Sequence, residues 1–174
     1  MLRIPFILFI SGVSGAGKTT ILRKLCQQLS PKTTQCFHFD SIGIPTIDEM
    51  IEKYGSPSEW QYAMTEVWVN RLLTEYRDKP LLILEGQINL KFIEEICAKH
   101  NFKNYRIILI HADDKIRHQR LRVNRNQPGL VNQDMDDWAA FLKRQAIDMK
   151  VSIFNSNSKN LENVVQEILK ILNH

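Results

Sequence analysis

Cysteine is scarce in this chain of 174 residues, and the three present, Cys26, Cys36 and Cys97, stand far apart with no C-x-x-C pair. That usage excludes a disulfide-built scaffold and a zinc ribbon. It points to a reducing, cytoplasmic setting in which all three pack as small buried hydrophobes. Long apolar runs are missing too. The early run "IPFILFI" falls well short of the ~20 residues a membrane span needs, and it leads into a glycine-rich loop rather than a cleavage site. It predicts a buried strand and no membrane partner. Repeats, low-complexity tracts and linkers are absent, which suits one domain over residues 1–174. Strong charge of either sign is also lacking: a formal +4 favours anionic partners without requiring nucleic acid.

What is present is a regular alternation. The apolar runs "FILFI", "QCFHFD", "PLLILEG", "YRIILIHA" and "VSIFN" read as five strands covered on both faces, because they lack a polar side. Between them, helical patterns span Thr19–Leu29, Ile47–Tyr54, Glu59–Tyr76, Lys91–His100, Lys115–Arg125, Met135–Lys150 and Leu161–Leu172. Strands alternating with helices predict right-handed βαβ units and a three-layer α/β domain with a five-stranded parallel sheet.

The first strand runs into "GVSGAGKTT". Gly12, Gly17, Lys18 and Thr19 complete G-x-x-x-x-G-K-[ST], between a strand and a helix as that phosphate loop requires. Its glycines admit positive φ, so successive backbone N–H groups can turn inward as an anion nest. The helix start adds its positive dipole end. Gly12, Val13, Ser14, Gly15, Ala16, Gly17, Lys18, Thr19 and Thr20 are therefore expected to hold a nucleoside triphosphate, read as ATP. Lys18 would bridge the β- and γ-phosphates and the Thr19 hydroxyl would ligate Mg2+.

Further absences narrow the use of that loop. No Asn-Lys-x-Asp element follows a late strand, which excludes a GTPase switch. The chain is short for a motor ATPase, and its third strand ends in a single acid, Glu85. Asp40 ends the second strand, where ligands of open α/β sheets bind. Gln87 shares the direction of Glu85 if the strand continues. Arg117, Arg120, Arg122 and Arg125 fall within nine residues with no acid among them. On a helix Arg117 and Arg120 share one side and Arg122 and Arg125 a roughly opposite one, and Pro128-Gly129 then breaks the helix.

The layout resembles the small P-loop kinases: gluconate, shikimate, adenylylsulfate and nucleoside monophosphate kinases. "GVSGAGKTT", "HFD", "LILEGQ" and "LIHADDKIRHQRLRVNR" carry the likeness. It implies Mg2+-ATP and an acceptor held between a helical insert, about residues 41–79, and a lid, about residues 117–134. It also implies that Asp40 takes the acceptor's proton or orients a metal-bound water, and that Glu85 holds a Mg2+ water or the acceptor. One lid arginine would stack on adenine, here Arg120, and one would reach the transferring phosphoryl group, here Arg125. The arginine spacing departs from the family's usual gap of four. In the insert, Trp60, Met64, Val67 and Leu72 form an expected core stripe. Trp68, Gln61 and Arg71 are left as pocket candidates, with Arg71 suited to clamp an anionic acceptor.

These readings converge on an ATP-dependent phosphotransferase acting on a hydroxyl of an unidentified small molecule; nucleic acid is not expected as a partner, since no aromatics interleave with the arginines. The rivals are a nucleotide or polynucleotide 5′-kinase and a non-catalytic ATP-binding module.

Overall fold

A computed structural model describes residues 4–157 and 161–172. The five expected strands are β1 (Phe6–Ser11), β2 (Thr34–His38), β3 (Leu81–Gly86), β4 (Tyr105–His111) and β5 (Ser152–Asn155). They form one sheet in the order β2-β3-β1-β4-β5, and every pairing is parallel. β1 is central, and Ile7, Leu8, Phe9 and Ile10 are wholly buried. Its continuous apolar run follows from having neighbours on both edges and helices on both faces.

The helices are α1 (Lys18–Gln28), α2 (Ile47–Tyr54), α3 (Pro57–Thr74), α4 (Leu90–Lys99), α5 (Asp114–Gln119), α6 (Gln133–Asp148) and α7 (Leu161–Leu172). Their starts have local causes. Thr46 and Glu49 make a capping box on α2, Ser56 accepts from Glu59 N with Pro57 in the first turn of α3, and Asn89 and Asn132 cap α4 and α6. Each satisfies backbone donors that a helix start leaves unpaired. Gly17 opens α1 with a left-handed φ of 97° and no side-chain cap, so the first N–H groups of that helix stay available.

Three expectations need correction. The helix predicted over Lys115–Arg125 ends as an α-helix at Gln119 and continues as a π-turn over Arg120–Asn124. On α3 the buried positions are Trp60, Thr65, Trp68, Val69 and Leu72, whereas Val67 is exposed. The core face is rotated toward Trp68, whose indole Nε1 donates to Phe39 O at 3.1 Å. Trp68 thus belongs to the core rather than to a pocket. Finally, Cys26 and Cys36 are joined as a disulfide between α1 and β2, with Cα atoms 6.9 Å apart. The scarcity of cysteine concealed a spatial pairing that spacing does not disclose. Only Cys97, among the described residues, is a free buried thiol, and burial pushes its pKa up to about 12.

The disulfide closes a loop with a sequence separation of 10, which restricts the unfolded chain by about 2–3 kcal/mol. Urea unfolding in the presence of reductant is expected to show that loss. Cys26→Ser should show it without reductant and be insensitive to reductant.

Candidate active site

The carboxyl ends of β1, β2 and β3 meet at the phosphate loop. Gly12 brings the loop against β4: a Cβ there would stand 2.4 Å from Ile110 O, with φ at +151°, so only glycine fits the approach. The loop carbonyls are held from behind. Lys18 Nζ donates to Val13 O at 3.2 Å, and Arg117 Nη1 donates to Ser14 O at 3.5 Å. Arg120 Nη1 donates to Gly15 O at 3.2 Å, and Ser156 Oγ donates to Ala16 O at 2.6 Å. Within the loop Ala16 N bonds to Val13 O at 3.2 Å, and the carbonyls engaged from that side favour the remaining N–H groups facing the other, as an anion nest requires.

Glu85 ties this loop to β2. The residue is buried, and its Oε1 accepts from Thr19 Oγ1 at 3.2 Å and lies 2.6 Å from His38 Nδ1. Lys18 is buried as well. Burial lowers its pKa, Glu85 and Asp40 oppose that, and Arg125 adds to it. Asp40 lies in a short 3-10 turn, Phe39–Ile42, directly after β2. Loss of hydration raises its carboxyl pKa and Glu85 pushes the same way, against the opposing charges of Lys18 and His38. Lys18, Asp40 and Glu85 thus share one electrostatic environment. Gly86 secures the turn: a Cβ there would lie 2.5 Å from Phe39 Cβ, so a side chain at 86 would displace the residue next to Asp40.

The arginine cluster divides in a way helical spacing does not foresee. Arg117 and Arg120 do share the loop side. However, Arg120 and Arg125 also line one cavity of about 280 Å³, with Gly15, Gly17, Thr20, Asn124 and Leu161. The π-turn is the reason: Arg125 N bonds to Arg120 O, so five residues make one turn and bring both arginines to the same place. Arg117, singled out for no role in the sequence, is fully buried. Its Nη2 donates to Asp114 at 2.9 Å and to Asp136, the latter on α6. His118 Nε2 is 2.9 Å from the same Asp136 oxygen. Burial acts to raise the Asp136 carboxyl, but the hydrogen bonds and charges of His118 and Arg117 outweigh it and hold its pKa below the usual range. The clue was available: Arg117 and Asp136 bracket the Pro128-Gly129 break.

Gln87 reaches the loop, donating from Nε2 to Ser14 Oγ at 2.9 Å. Gln61 clamps the same turn, donating to Gln87 O at 2.8 Å and accepting from Asn89 N at 3.0 Å. Arg71 does not join them. Its Nε pairs with Glu75 at 3.2 Å, its Nη2 donates to the Tyr76 hydroxyl at 3.3 Å, and the guanidinium lies over Trp68 at 5.0 Å. Its side chain is engaged by α3 and the following turn, so the clamp expected for an acceptor is not formed in this arrangement. A larger cavity, about 740 Å³, opens elsewhere, beside Phe102, Tyr105 and Lys150. It contains none of the phosphate-loop residues.

No family model matches this sequence, and no curated protein does. Solved structures match in fold. A shikimate kinase from Acinetobacter baumannii in complex with shikimate is 19% identical, covers 98% of this chain and 94% of that one, and gives a TM-score of 0.62. A shikimate kinase from Bacteroides thetaiotaomicron is 16% identical over 97% of this chain and 99% of that one, also at 0.62. A thymidylate kinase from Candida albicans is 13% identical over 97% and 91%, at 0.62. At these identities the likeness establishes the fold, which is the three-layer α/β arrangement of small P-loop kinases.

Two stability measurements check the electrostatics. The lowered Asp136 pKa contributes stability above the ordinary carboxylate range that is lost as pH falls through the folded value. Asp136→Ala should therefore cost about 3 kcal/mol at neutral pH, the lower end for breaking a buried pair because Asp114 remains. The difference from wild type should shrink on acidification. Asp40 has the opposite sign. Its raised pKa makes the charged form costly, so Asp40→Asn should melt higher at neutral pH, and that gain should vanish below the ordinary aspartate value of 3.8, where the side chain is protonated folded and unfolded alike.

Proposed function

We propose that this chain is an ATP-dependent phosphotransferase that moves the γ-phosphoryl group to a hydroxyl of a small molecule. The observation that carries this reading is the convergence of Lys18, Asp40 and Glu85 at the mouth of the phosphate loop, close enough for each carboxylate to act on the Lys18 charge. A protein that only bound nucleotide would have no use for a second, partly hydrated carboxylate there. Phosphoryl transfer demands positioning and charge neutralisation more than covalent chemistry, and these residues supply both.

In this reading the loop N–H groups and Lys18 hold the triphosphate. The donor set fits magnesium, since Thr19 Oγ1 and the Glu85 carboxylate are hard oxygen groups held together. Bound there, the ion would neutralise charge on the β- and γ-phosphate oxygens. Asp40 accepts or orients the acceptor hydroxyl, and Gln87, in the turn after β3, reaches the phosphate loop at Ser14. Arg120, fixed to Gly15 and Ser156, forms a wall of the nucleoside cavity. Arg125 is exposed on the segment that would close as a lid, at about residues 117–134. The helices α2 and α3 form the acceptor-side insert, about residues 41–79. A polyhydroxylated acceptor accords with the shikimate-bound neighbour. The equal TM-score of 0.62 for a thymidylate kinase keeps a nucleotide acceptor as the second reading.

ADP release measured against cyclic polyols, sugar acids, nucleosides, nucleoside monophosphates and oligonucleotides with a free 5′-hydroxyl is expected to pick one acceptor class. With that acceptor, Asp40→Asn should lower turnover by ~10² or more while binding a non-hydrolysable ATP analogue within about tenfold of wild type. Unchanged turnover would reduce Asp40 to a turn residue. Lys18→Met should lose both binding and turnover while keeping the circular dichroism of the wild type.

A further inference from the structure

We propose that His38 is a positioning residue: it fixes the Glu85 carboxylate so that Glu85 in turn orients the Thr19 hydroxyl toward a nucleotide-bound divalent cation. This rests on the phosphotransferase reading and adds a residue to it. His38 and Glu85 are direct partners in the β2–β3 ladder, so the register itself sets imidazole against carboxylate. Their 2.6 Å contact is the shorter of the two that Glu85 Oε1 receives, Thr19 Oγ1 standing at 3.2 Å.

The chemistry of the groups fixes the direction of each bond. An ionised carboxylate only accepts, so His38 must carry its proton on Nδ1 to donate. Thr19 likewise donates its hydroxyl proton to Glu85, which leaves the oxygen's lone pairs for a cation. A ligand hydroxyl anchored this way is oriented before the ion arrives, as outer partners orient metal ligands generally. Without His38, Glu85 would be held at this oxygen by the threonine alone, and its torsions would be freer. His38 itself is exposed and lines a cavity of about 390 Å³ with Thr19, Arg23 and the Cys26–Cys36 pair. Its side-chain bond in the site is the one to Glu85, and the proposed action runs through that bond.

The test is calorimetry of ADP binding to the full chain, with and without MgCl2, for wild type, His38→Ala and His38→Asn. In wild type, magnesium should strengthen ADP binding. In His38→Ala, metal-free ADP affinity should stay within about twofold, while the magnesium-dependent gain falls by about tenfold, the lower end for loss of an outer partner. His38→Asn should restore most of that gain, because its amide Nδ2 stands near the place of Nδ1 and can donate to Glu85. A full magnesium gain in His38→Ala overturns the proposal, as does a folded His38→Asn that behaves like His38→Ala. If wild type itself binds ADP with no magnesium gain, the metal reading of Thr19 and Glu85 is wrong, and this proposal falls with it. Thermal melting of each variant shows that the comparison is made on folded protein.

Discussion

Glu85 ends the strand that lies between β1 and β2, nearly sealed from solvent, and one of its oxygens meets Thr19 on one side and His38 on the other. A buried carboxylate is costly unless it is met by donors or opposite charge. Glu85 has the hydroxyl of α1, the imidazole of β2 and the nearby Lys18 ammonium. Satisfying that one group fixes the start of α1 relative to the end of β2. The relation between the loop that would hold ATP and the turn that carries Asp40 is therefore set by the cost of burying a single charge.

The loop is stabilised by complementary means. Its carbonyls from Val13 to Ala16 accept bonds from Lys18, Arg117, Arg120 and Ser156. Carbonyls engaged by side-chain donors on one side favour amide groups facing the other, which is the arrangement an anion nest would need. This gives Arg117 its place. Fully buried and tied to Asp136 across the Pro128-Gly129 turn, it anchors both ends of the intervening segment to the loop.

The sheet and the phosphate loop were legible in the sequence because their signals are local. A continuous apolar run such as β1, and glycines at positions where no Cβ fits, declare themselves in a few residues. Most helix bounds emerged from periodicity to within about two residues, and α2 and α7 coincide with the expected spans. What escaped was long-range or a change of period. Cys26 and Cys36 meet because α1 folds back over β2. Arg71 is taken up by Glu75 and Tyr76, and no composition shows that. The π-turn at Arg120–Asn124 defeats a reading made at helical spacing, and so brings together two arginines that such spacing separates.

β2 has a single neighbour in the sheet, and the helices α2 and α3 hang from its end. β1, which runs into the phosphate loop, lies by contrast at the centre of the sheet. The peripheral segment is nonetheless tied inward at particular points, by Trp68 to Phe39 O and by Gln61 to the turn after β3. On the phosphotransferase reading, acceptor preference would be the trait free to drift: exchanges at outward-facing positions such as Ile47, Ile51 and Val67, all exposed, leave those inward ties and the phosphate loop untouched.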